Sequence, residues 1–596
     1  MSAEVQTIWA ELVAATLVDA GITVCVTSPG SRSTPLVAAL AATEHDALRL
    51  VTIIDERAAA FFALGVARAT GKPACVVCTS GTAAAHYLPA VIEASMAGVP
   101  LVVVTADRPP ELQDCGASQT IAQRGLYGGF VRGAYDLGAP VASEASLRAV
   151  RRTVIQAITM ALGPCPGPVH VNVPLRKPLE PARPVTGDHR VLAQLATALR
   201  GPRVLAPPRL VPDPAAIAEL ASAISVEPRG VIVVGAMPVE LASAREAVFG
   251  LAVRTGYPLV AEAGSQLRFG PRPARVVFVD HLDLVPADRV PAPALVLQLG
   301  AEPVAASWPG WVARTRPARW ILAGSSWRDP DSTARGVILG DVAHAVSALA
   351  AALAPTSELP TRTEWLDDWC AIEQQAEAAV DRALEAHPGS ESAVVRAALG
   401  AMPDGAILQI GNSLPIRVVD QVARTAEIGR HARRCSVITQ RGAAGIDGLI
   451  ASAAGATTAG RPVLLVLGDV SFAHDIGGLL AARCAAAPLA ILVIDNRGGQ
   501  IFAGLPVARA DLGAAFDRYW LTAPELDPAT VARAFGASAI TAGSAAATAA
   551  AVTTALATAG VTVIHAPVTT SGAHDVRRTA IELYPQPALG KLGGDP

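Results

Sequence analysis

From Leu464 to Pro506 the chain reads LLVLGDVSFAHDIGGLL, then AARCAAAP, then LAILVIDNRGGQIFAGLP. Two apolar runs, Val463 to Leu467 and Leu489 to Ile494, have the composition of parallel strands buried on both faces. A helix expected from about His474 to Ala487 joins them, which makes a right-handed crossover unit. Each strand runs into a polar loop, Gly468-Asp469 after the first and Asp495-Asn496-Arg497-Gly498-Gly499 after the second. Ligands of open parallel sheets sit at the carboxyl ends of the strands. Asp469 offers an anionic oxygen there and Asn496 an amide oxygen, while Gly498 can bring a backbone carbonyl close without a side chain in the way. Three such oxygens suit Mg²⁺, which fills its octahedron with phosphate and water. A helix start near Ser471 adds free N–H groups and a positive dipole end, favourable for a diphosphate. A lone Gly-Asp is ordinarily a capped turn; two polar loops at neighbouring strand ends point to a site.

Outward from this unit, strand and helix alternate along the chain, so the fold class is α/β: three doubly wound parallel-sheet domains. The first domain (1–185) has strands in ITVCVTSPG, LRLVTIID, PACVVCTSG, PLVVVTAD and VHVNVP, with helices at Glu4 to Ala20, Arg57 to Thr70 and Thr82 to Ala97. A Pro-rich segment from Pro178 to Pro184 ends it. The central domain (186–355) repeats the pattern in GVIVVGAM, PLVAEAG, RVVFVD, ALVLQLG, RWILAG and GVILGD, and no catalytic constellation is legible in it. A second linker, Ala354 to Thr363, leads to the third domain (356–596), with strands in AILQIGNS, CSVITQRG, VLLVLGD, LAILVID and VTVIHAPV. The first and third domains read as one architecture used twice.

Composition narrows the function. Hydrophobic residues make up 51% of the 596 and charged residues 17%, below the roughly 25% of an average domain. Part of that apolar surface is expected in a subunit interface. A net charge of −3 argues against nucleic-acid or anionic-membrane partners, which call for a basic patch. No basic segment precedes an apolar one at the N-terminus, so a cytoplasmic location is expected. The longest uncharged stretch, Phe535 to His565, reads as helix then strand, not a membrane span. Eight cysteines are scattered without framework spacing. Cys75 and Cys78 fall in one strand on opposite faces, which discounts a redox or zinc pair.

Gly468-Asp469 followed by Asn496 and Gly498 resembles the metal–diphosphate signature of thiamine-diphosphate enzymes, with Val470 in place of the usual third Gly and Asp495 in place of the first of two Asn. A narrower resemblance rests on TSPGSRSTPL at Thr27, TSGTA at Thr79, TADRPPEL at Thr105, GASQTI at Gly116, GNSLPIR at Gly411, QRGAAGIDG at Gln440 and NRGGQIFAGLP at Asn496. Together and in this order they resemble the 2-succinyl-5-enolpyruvyl-6-hydroxy-3-cyclohexene-1-carboxylate synthase family of menaquinone biosynthesis. The match is strong in the first and third domains and weak in the central one.

This resemblance implies thiamine diphosphate with Mg²⁺, or Mn²⁺ in its place, in a pyrimidine-binding first domain and a diphosphate-binding third. It implies decarboxylation of 2-oxoglutarate and 1,4-addition of the resulting succinic-semialdehyde carbanion to isochorismate. Glu56, at a strand-to-helix junction and expected to be partly buried, would be the catalytic acid against the aminopyrimidine. Ser80, Gly81, Gly411, Ile446, Gly468, Asp469, Val470, Ser471, Asn496, Gly498, Gln500 and Ile501 would bind the cofactor, with Ile446 the apolar wedge that keeps it bent. Asp469, Asn496 and Gly498 would hold the metal. The two substrates together carry four carboxylates, and Arg32, Arg108, Arg417 and Arg441 in loops near strand ends would hold them, since the guanidinium fork suits a carboxylate. Ser33, Gln119, Asn412 and Ser413 would add neutral hydrogen bonds, and Ile501, Phe502 and Leu505 would keep the reacting centre dry. Some relatives have a basic pair where this chain has Ala306 and Ser307, so a cation in that corner has to come from elsewhere. The resemblance also implies a homodimer or dimer of dimers with the site between chains. The alternatives are another thiamine carboligase or decarboxylase of the acetolactate synthase type, against which four arginines speak, and a non-catalytic regulatory homologue.

Overall fold

The structure, a computed structural model, describes residues 3–44, 47–185, 187–201, 206–238, 243–354, 362–424 and 434–585. It contains three six-stranded sheets, and every strand pair is parallel. The first runs Arg49–Thr52, Val24–Thr27, Ala74–Cys78, Leu101–Asp107, Pro168–Pro174, Ala134–Asp136 across the sheet. The third runs Ser436–Thr439, Ile407–Ile410, Val463–Gly468, Leu489–Asp495, Val561–Pro567, Ser538–Thr541. Counted from the first strand of each, the two orders are identical, so the same architecture is used twice. The central sheet differs. Its first strand, Gly230–Val234, pairs with the fourth, Leu295–Leu299, and the chain winds outward on both sides.

The strands at the centre of each sheet carry almost no polar residues because helices cover both faces. Val463 to Leu467 and Leu489 to Ile494 are buried throughout. One continuous apolar cluster holds Phe62 and Val76 of the first domain together with Leu449, Leu465 and Phe472 of the third. These two domains therefore share a core within one chain, built where helix Glu56–Thr70 lies against helix Leu449–Ala456.

Several elements depart from expectation. The crossover between the two central strands is two short helices, Asp469–His474 and Gly478–Ala482. The first opens on Asp469 itself, and Gly477-Gly478 separates them. The helix expected over Thr82 to Ala97 is split into Thr82–Ala85 and Leu88–Ala97; Pro89 lacks the N–H that a continuous helix needs and its ring crowds the carbonyl four residues back. The edge strands Ala134–Asp136 and Ser538–Thr541 have no apolar run to announce them, being half-buried or exposed at every position, and the second adds a strand ahead of helix Ala545–Ala557 in the Phe535–His565 stretch. Beyond Pro184, helix Gly187–Ala198 packs Leu192 and Ala196 into the first domain's apolar cluster. Most of the second linker, 355–361, lies outside the described residues. Helix Thr363–Ala386 after it sets Trp369 and Ala376 against the central domain and Val380 and Ala383 against Val576 and Ala580 near the end of the chain.

Candidate active site

Asp469 and Asn496 end adjacent strands, and both are 4% exposed. The Asp469 carboxylate is held by two backbone donors: Gly498 N–H gives to Oδ2 at 2.7 Å and Val470 N–H to Oδ1 at 2.8 Å. Burial outweighs these bonds and pushes its pKa up to about 6. Gly498 has φ of +111°, and a Cβ there would lie 2.3 Å from the Leu521 carbonyl oxygen, so no other residue fits. Asn496 donates from Nδ2 to Glu391 Oε2 at 2.9 Å. Its Oδ1 is buried and has no hydrogen-bond partner among the described residues, an unusual state for a buried polar atom. A buried carboxylate, an orphaned amide oxygen and a glycine carbonyl form an all-oxygen set that fits a hard divalent cation. Among the described residues no three His, Cys, Asp or Glu side chains gather as a metal cluster, so the fit rests on this mixed set.

The third-domain members of the expected cofactor set lie on or beside these loops. Gly468 is the strand end and Val470 and Ser471 are in the first turn of the following helix, Ser471 being buried. Gly411 is pressed against the neighbouring strand, where a Cβ would meet the Val466 carbonyl oxygen at 2.9 Å. Gln500 is buried, and its carbonyl is bonded to His574 Nε2 at 2.7 Å. Ile501 and Phe502 are half-buried and Leu505 is 44% exposed, so a single chain does not enclose the place they were expected to keep dry.

Asn412 organises the substrate end. Its Nδ2 donates to the carbonyls of Gln440 and Gly445 at 2.8 and 2.7 Å, which ties the loop carrying Arg441 and half-buried Ile446 to the strand end before it. Arg441 Nη1 donates to Asn412 Oδ1 at 3.3 Å. Arg417 lies in the first turn of helix Leu414–Val422, not in a loop, and donates to the Ser413 carbonyl at 2.6 Å. Burial first, and then the Arg441 charge, lower the Arg417 guanidinium from its ordinary value. Ser413 between them has φ of +69°.

Four residues escaped the sequence reading. Glu93, the one carboxylate of helix Leu88–Ala97, accepts from Gly442 and Ala443 N–H at 3.0 and 2.6 Å and pairs with Arg68. The central domain, read as empty of functional groups, places buried Glu262 and Asp283 within electrostatic reach of Arg417. It also supplies Arg328, which donates to the Met96 carbonyl at 2.6 Å and lines, with Ala236, Ala301, Glu302 and Arg441, a cavity of about 420 Å³. Ala306 and Ser307 bring no cation, and Arg328 is the basic group nearest in kind to the one missing there. Only spatial assembly shows these four residues, since each is a single charge in an otherwise ordinary element.

In the first domain Ser80, Gly81, Arg108 and Gln119 form one knot. Arg108 bonds Ser80 Oγ and the Ser118 carbonyl, Gln119 Nε2 donates to the Ser80 carbonyl at 3.0 Å, and Gly81 N–H donates to Gln123 Oε1 at 2.9 Å. Arg32, 5% exposed, donates to the Leu175 carbonyl at 2.7 Å, and burial followed by the Arg108 charge lowers its pKa. Asp107 offsets part of this lowering. The Ser33 hydroxyl donates to Gly30 O at 3.0 Å, within its own loop. Glu56 is half-buried at the start of its helix. Asp55 does the capping, accepting from Arg57 and Ala58 N–H, which leaves the Glu56 carboxylate out of that role.

Two assemblies result. The third domain gathers the metal loops with Asn412, Ser413, Arg417 and Arg441; the first gathers Arg32, Ser80, Arg108 and Gln119. No hydrogen bond or ion pair among the described residues links the two sets.

Two family models match the chain, one at each end. A family described as thiamine pyrophosphate enzyme, N-terminal TPP binding domain, matches residues 9–126, and the C-terminal TPP binding domain matches residues 422–566. Benzoylformate decarboxylase from Polynucleobacter necessarius has the same fold, with a TM-score of 0.68 over 94% of this chain and 98% of that one at 17% identity. The protein is a thiamine-diphosphate enzyme. Whole-length relatives narrow this further: the chain is 42% identical to the 2-succinyl-5-enolpyruvyl-6-hydroxy-3-cyclohexene-1-carboxylate synthase of Sorangium cellulosum over 98% of each chain, and 39% identical to that of Geobacillus kaustophilus over 88% of this chain and 89% of the relative. It belongs to the 2-succinyl-5-enolpyruvyl-6-hydroxy-3-cyclohexene-1-carboxylate synthase family.

Proposed function

We propose that this transferase joins 2-oxoglutarate, with loss of CO₂, to isochorismate by 1,4-addition, giving 2-succinyl-5-enolpyruvyl-6-hydroxy-3-cyclohexene-1-carboxylate for menaquinone biosynthesis. The observation that carries it is the paired arginines, Arg32 with Arg108 and Arg417 with Arg441, each pair close enough for one charge to lower the other's pKa. Pyruvate, the substrate of an acetolactate synthase, brings one carboxylate for two arginine pairs that Asp107, Glu262 and Asp283 offset only in part; 2-oxoglutarate and isochorismate bring four. A regulatory homologue without catalysis has no use for Glu56, Asp469 and Asn496 together.

Bound thiamine diphosphate supplies the electron sink for decarboxylation and carbon–carbon bond formation. The protein contributes position and charge. Asp469, Asn496 Oδ1 and the Gly498 carbonyl would hold Mg²⁺, or Mn²⁺, with the diphosphate; Ser80 and Gly81 would bind the pyrimidine portion, and Ile446 would be the apolar wedge that keeps the cofactor bent. Glu56 would hold a proton for the pyrimidine N1′ of the bound cofactor. The arginine pairs, with Gln119, Asn412 and Ser413, orient the substrate carboxylates, and Ile501, Phe502 and Leu505 keep water from the reacting carbon.

The site is assigned to the junction of two chains, the first domain of one against the third of its partner. Ile54, two residues before Glu56, is 73% exposed in the single chain, as a residue awaiting a partner would be. Among the described residues no helix is long and apolar enough to cross a membrane, and we assign the reaction to the cytoplasm. Incubation with 2-oxoglutarate, isochorismate, thiamine diphosphate and Mg²⁺, followed by mass analysis, tests the reading. The expected product retains the isochorismate skeleton with a succinyl group added. Turnover of pyruvate in its absence would favour the acetolactate type instead.

A further inference from the structure

Glu391 is 1% exposed and opens helix Glu391–Gly400, whose cap is Ser390. Nothing in SESAVVRAALG marks it as more than a helix-start carboxylate. In the fold it lies under the second metal loop: its Oε2 accepts from Asn496 Nδ2 at 2.9 Å, and its Oε1 has no partner. An amide presents oxygen and nitrogen in nearly the same shape, so only its hydrogen bonds decide which way it faces. A carboxyl oxygen without a proton can only accept, and Oε2 takes the Asn496 nitrogen. The Asn496 oxygen is then turned to the opposite side, where it is buried without a partner. Neither Glu391 nor Asp469 has an ion-pair partner among the described residues, so this loop buries two carboxylates with no cation from the protein.

We infer that Glu391 is a positioning residue for the metal site: its carboxyl group holds the Asn496 amide by its nitrogen and leaves the oxygen unpartnered for the metal. The inference rests on the proposed placement of the metal at Asp469, Asn496 and Gly498. It is independent of which substrates the enzyme joins. Partners that orient metal ligands in this way typically alter metal affinity by about 10- to 100-fold when lost.

The experiment is calorimetric titration of Mg²⁺ into the full-length protein with thiamine diphosphate present, alongside the melting temperature of each cofactor-free variant. Glu391→Gln keeps the volume but offers Asn496 either an acceptor or a donor, so the amide orientation is no longer imposed. The expected result is a Kd for Mg²⁺ raised about 10-fold or more, with a cofactor-free melting temperature close to wild type. Asn496→Asp alone sets two carboxylates together and should weaken Mg²⁺ further. The double exchange, Glu391→Gln with Asn496→Asp, lets the new amide donate to the new carboxylate and should recover affinity relative to either single variant. A role limited to packing would move the melting temperature and leave the Kd alone. Unchanged Mg²⁺ affinity in both Glu391→Gln and Glu391→Ala overturns the inference. So does a double exchange that is the sum of its single effects. A wild type that binds Mg²⁺ but forms no product from isochorismate would overturn the synthase reading and leave this one standing.

Discussion

Gly65 and Ser452 bring two helices into backbone contact: a Cβ on Gly65 would lie 1.9 Å from the Ser452 carbonyl oxygen. Gly455 repeats the arrangement in the other direction, 2.0 Å from the carbonyl oxygen of Phe62. This pair of crossings joins the first and third domains of one chain and fixes the helix that begins at Glu56. Gly65→Ala should therefore destabilise the protein although alanine is the better helix former. The propensity gain is about 1 kcal/mol, and prising apart two backbones costs about 1–3 kcal/mol, at the high end where nothing flexible can yield. Gly250→Ala is the internal control: it is helical and exposed with no atom near its Cβ position, and it should gain about 0.5–1 kcal/mol. Denaturant midpoints for the two variants should move in opposite directions.

Ser413 sits at φ +69° and ψ −125°, in a region that favours glycine. Holding a side chain there costs about 1–3 kcal/mol. Ser413→Gly should raise stability by about 1 kcal/mol, after the entropy cost of a glycine is subtracted, while Ser413→Ala should not. If the hydroxyl serves substrate, both variants should raise KM for a substrate to a similar degree. Equal stability of the two variants would mean the backbone angle carries no strain, and an unchanged KM in both would remove Ser413 from the binding set.

The run from Val463 to Ile494 was legible because both strands are apolar throughout and end in glycine-bearing polar loops, a pattern imposed by burial between two layers of helices. The same physics made the central strands of all three sheets readable. Edge strands such as Ala134–Asp136 were not, because an edge has no obligation to be apolar. Asp469 and Asn496 were legible as chemistry placed where a parallel sheet presents ligands. Glu391 and Glu93 were not: each acts on a loop far away in sequence, Glu391 on Asn496 and Glu93 on Gly442, and a single helical glutamate gives no hint of its distant partner. The arginines were legible by type, but the charge relation between Arg417 and Arg441 exists only in three dimensions.

Asp475 is fully buried and accepts from Ile450 N–H at 2.8 Å and Ala451 N–H at 3.4 Å, with the Arg57 guanidinium 3.7 Å away. Burial outweighs these partners and raises its pKa from 3.8 to about 6. A raised carboxyl contributes stability that is fully present below pH 3.8 and is lost as pH rises through 6, by up to about 3 kcal/mol for a shift of this size. Asp475→Asn keeps an oxygen for the Ile450 N–H and cannot ionise. Melting temperatures from about pH 3.5 to 8 should show the variant gaining on wild type as pH increases, most steeply near about pH 5, between the two values, and levelling off above about pH 6. A difference that is flat with pH would mean that Asp475 does not carry this dependence.

The placement of Glu56 and Asp469 on different chains of one site can be decided by complementation. Within a chain, the first and third domains meet through a helix pair, Gly65 against Ser452, and through Glu93, which holds the loop at Gly442 and Ala443; no hydrogen bond or ion pair joins Glu56 to Asp469 or Asn496 among the described residues. Two-fold pairing would bring the first-domain loops of each chain to the third-domain loops of the other and generate two equivalent sites. Glu56→Gln should cut turnover by about 10²–10⁴-fold with little change of shape. Asp469→Ala should abolish activity and Mg²⁺-dependent cofactor binding, because the octahedral site loses its one charged protein ligand. When the two inactive proteins are mixed and allowed to exchange subunits, each mixed dimer has one site with both lesions and one with neither. Activity should return in proportion to the mixed dimers seen by native mass spectrometry. Mixed dimers that form and stay inactive would place both residues of each site on a single chain.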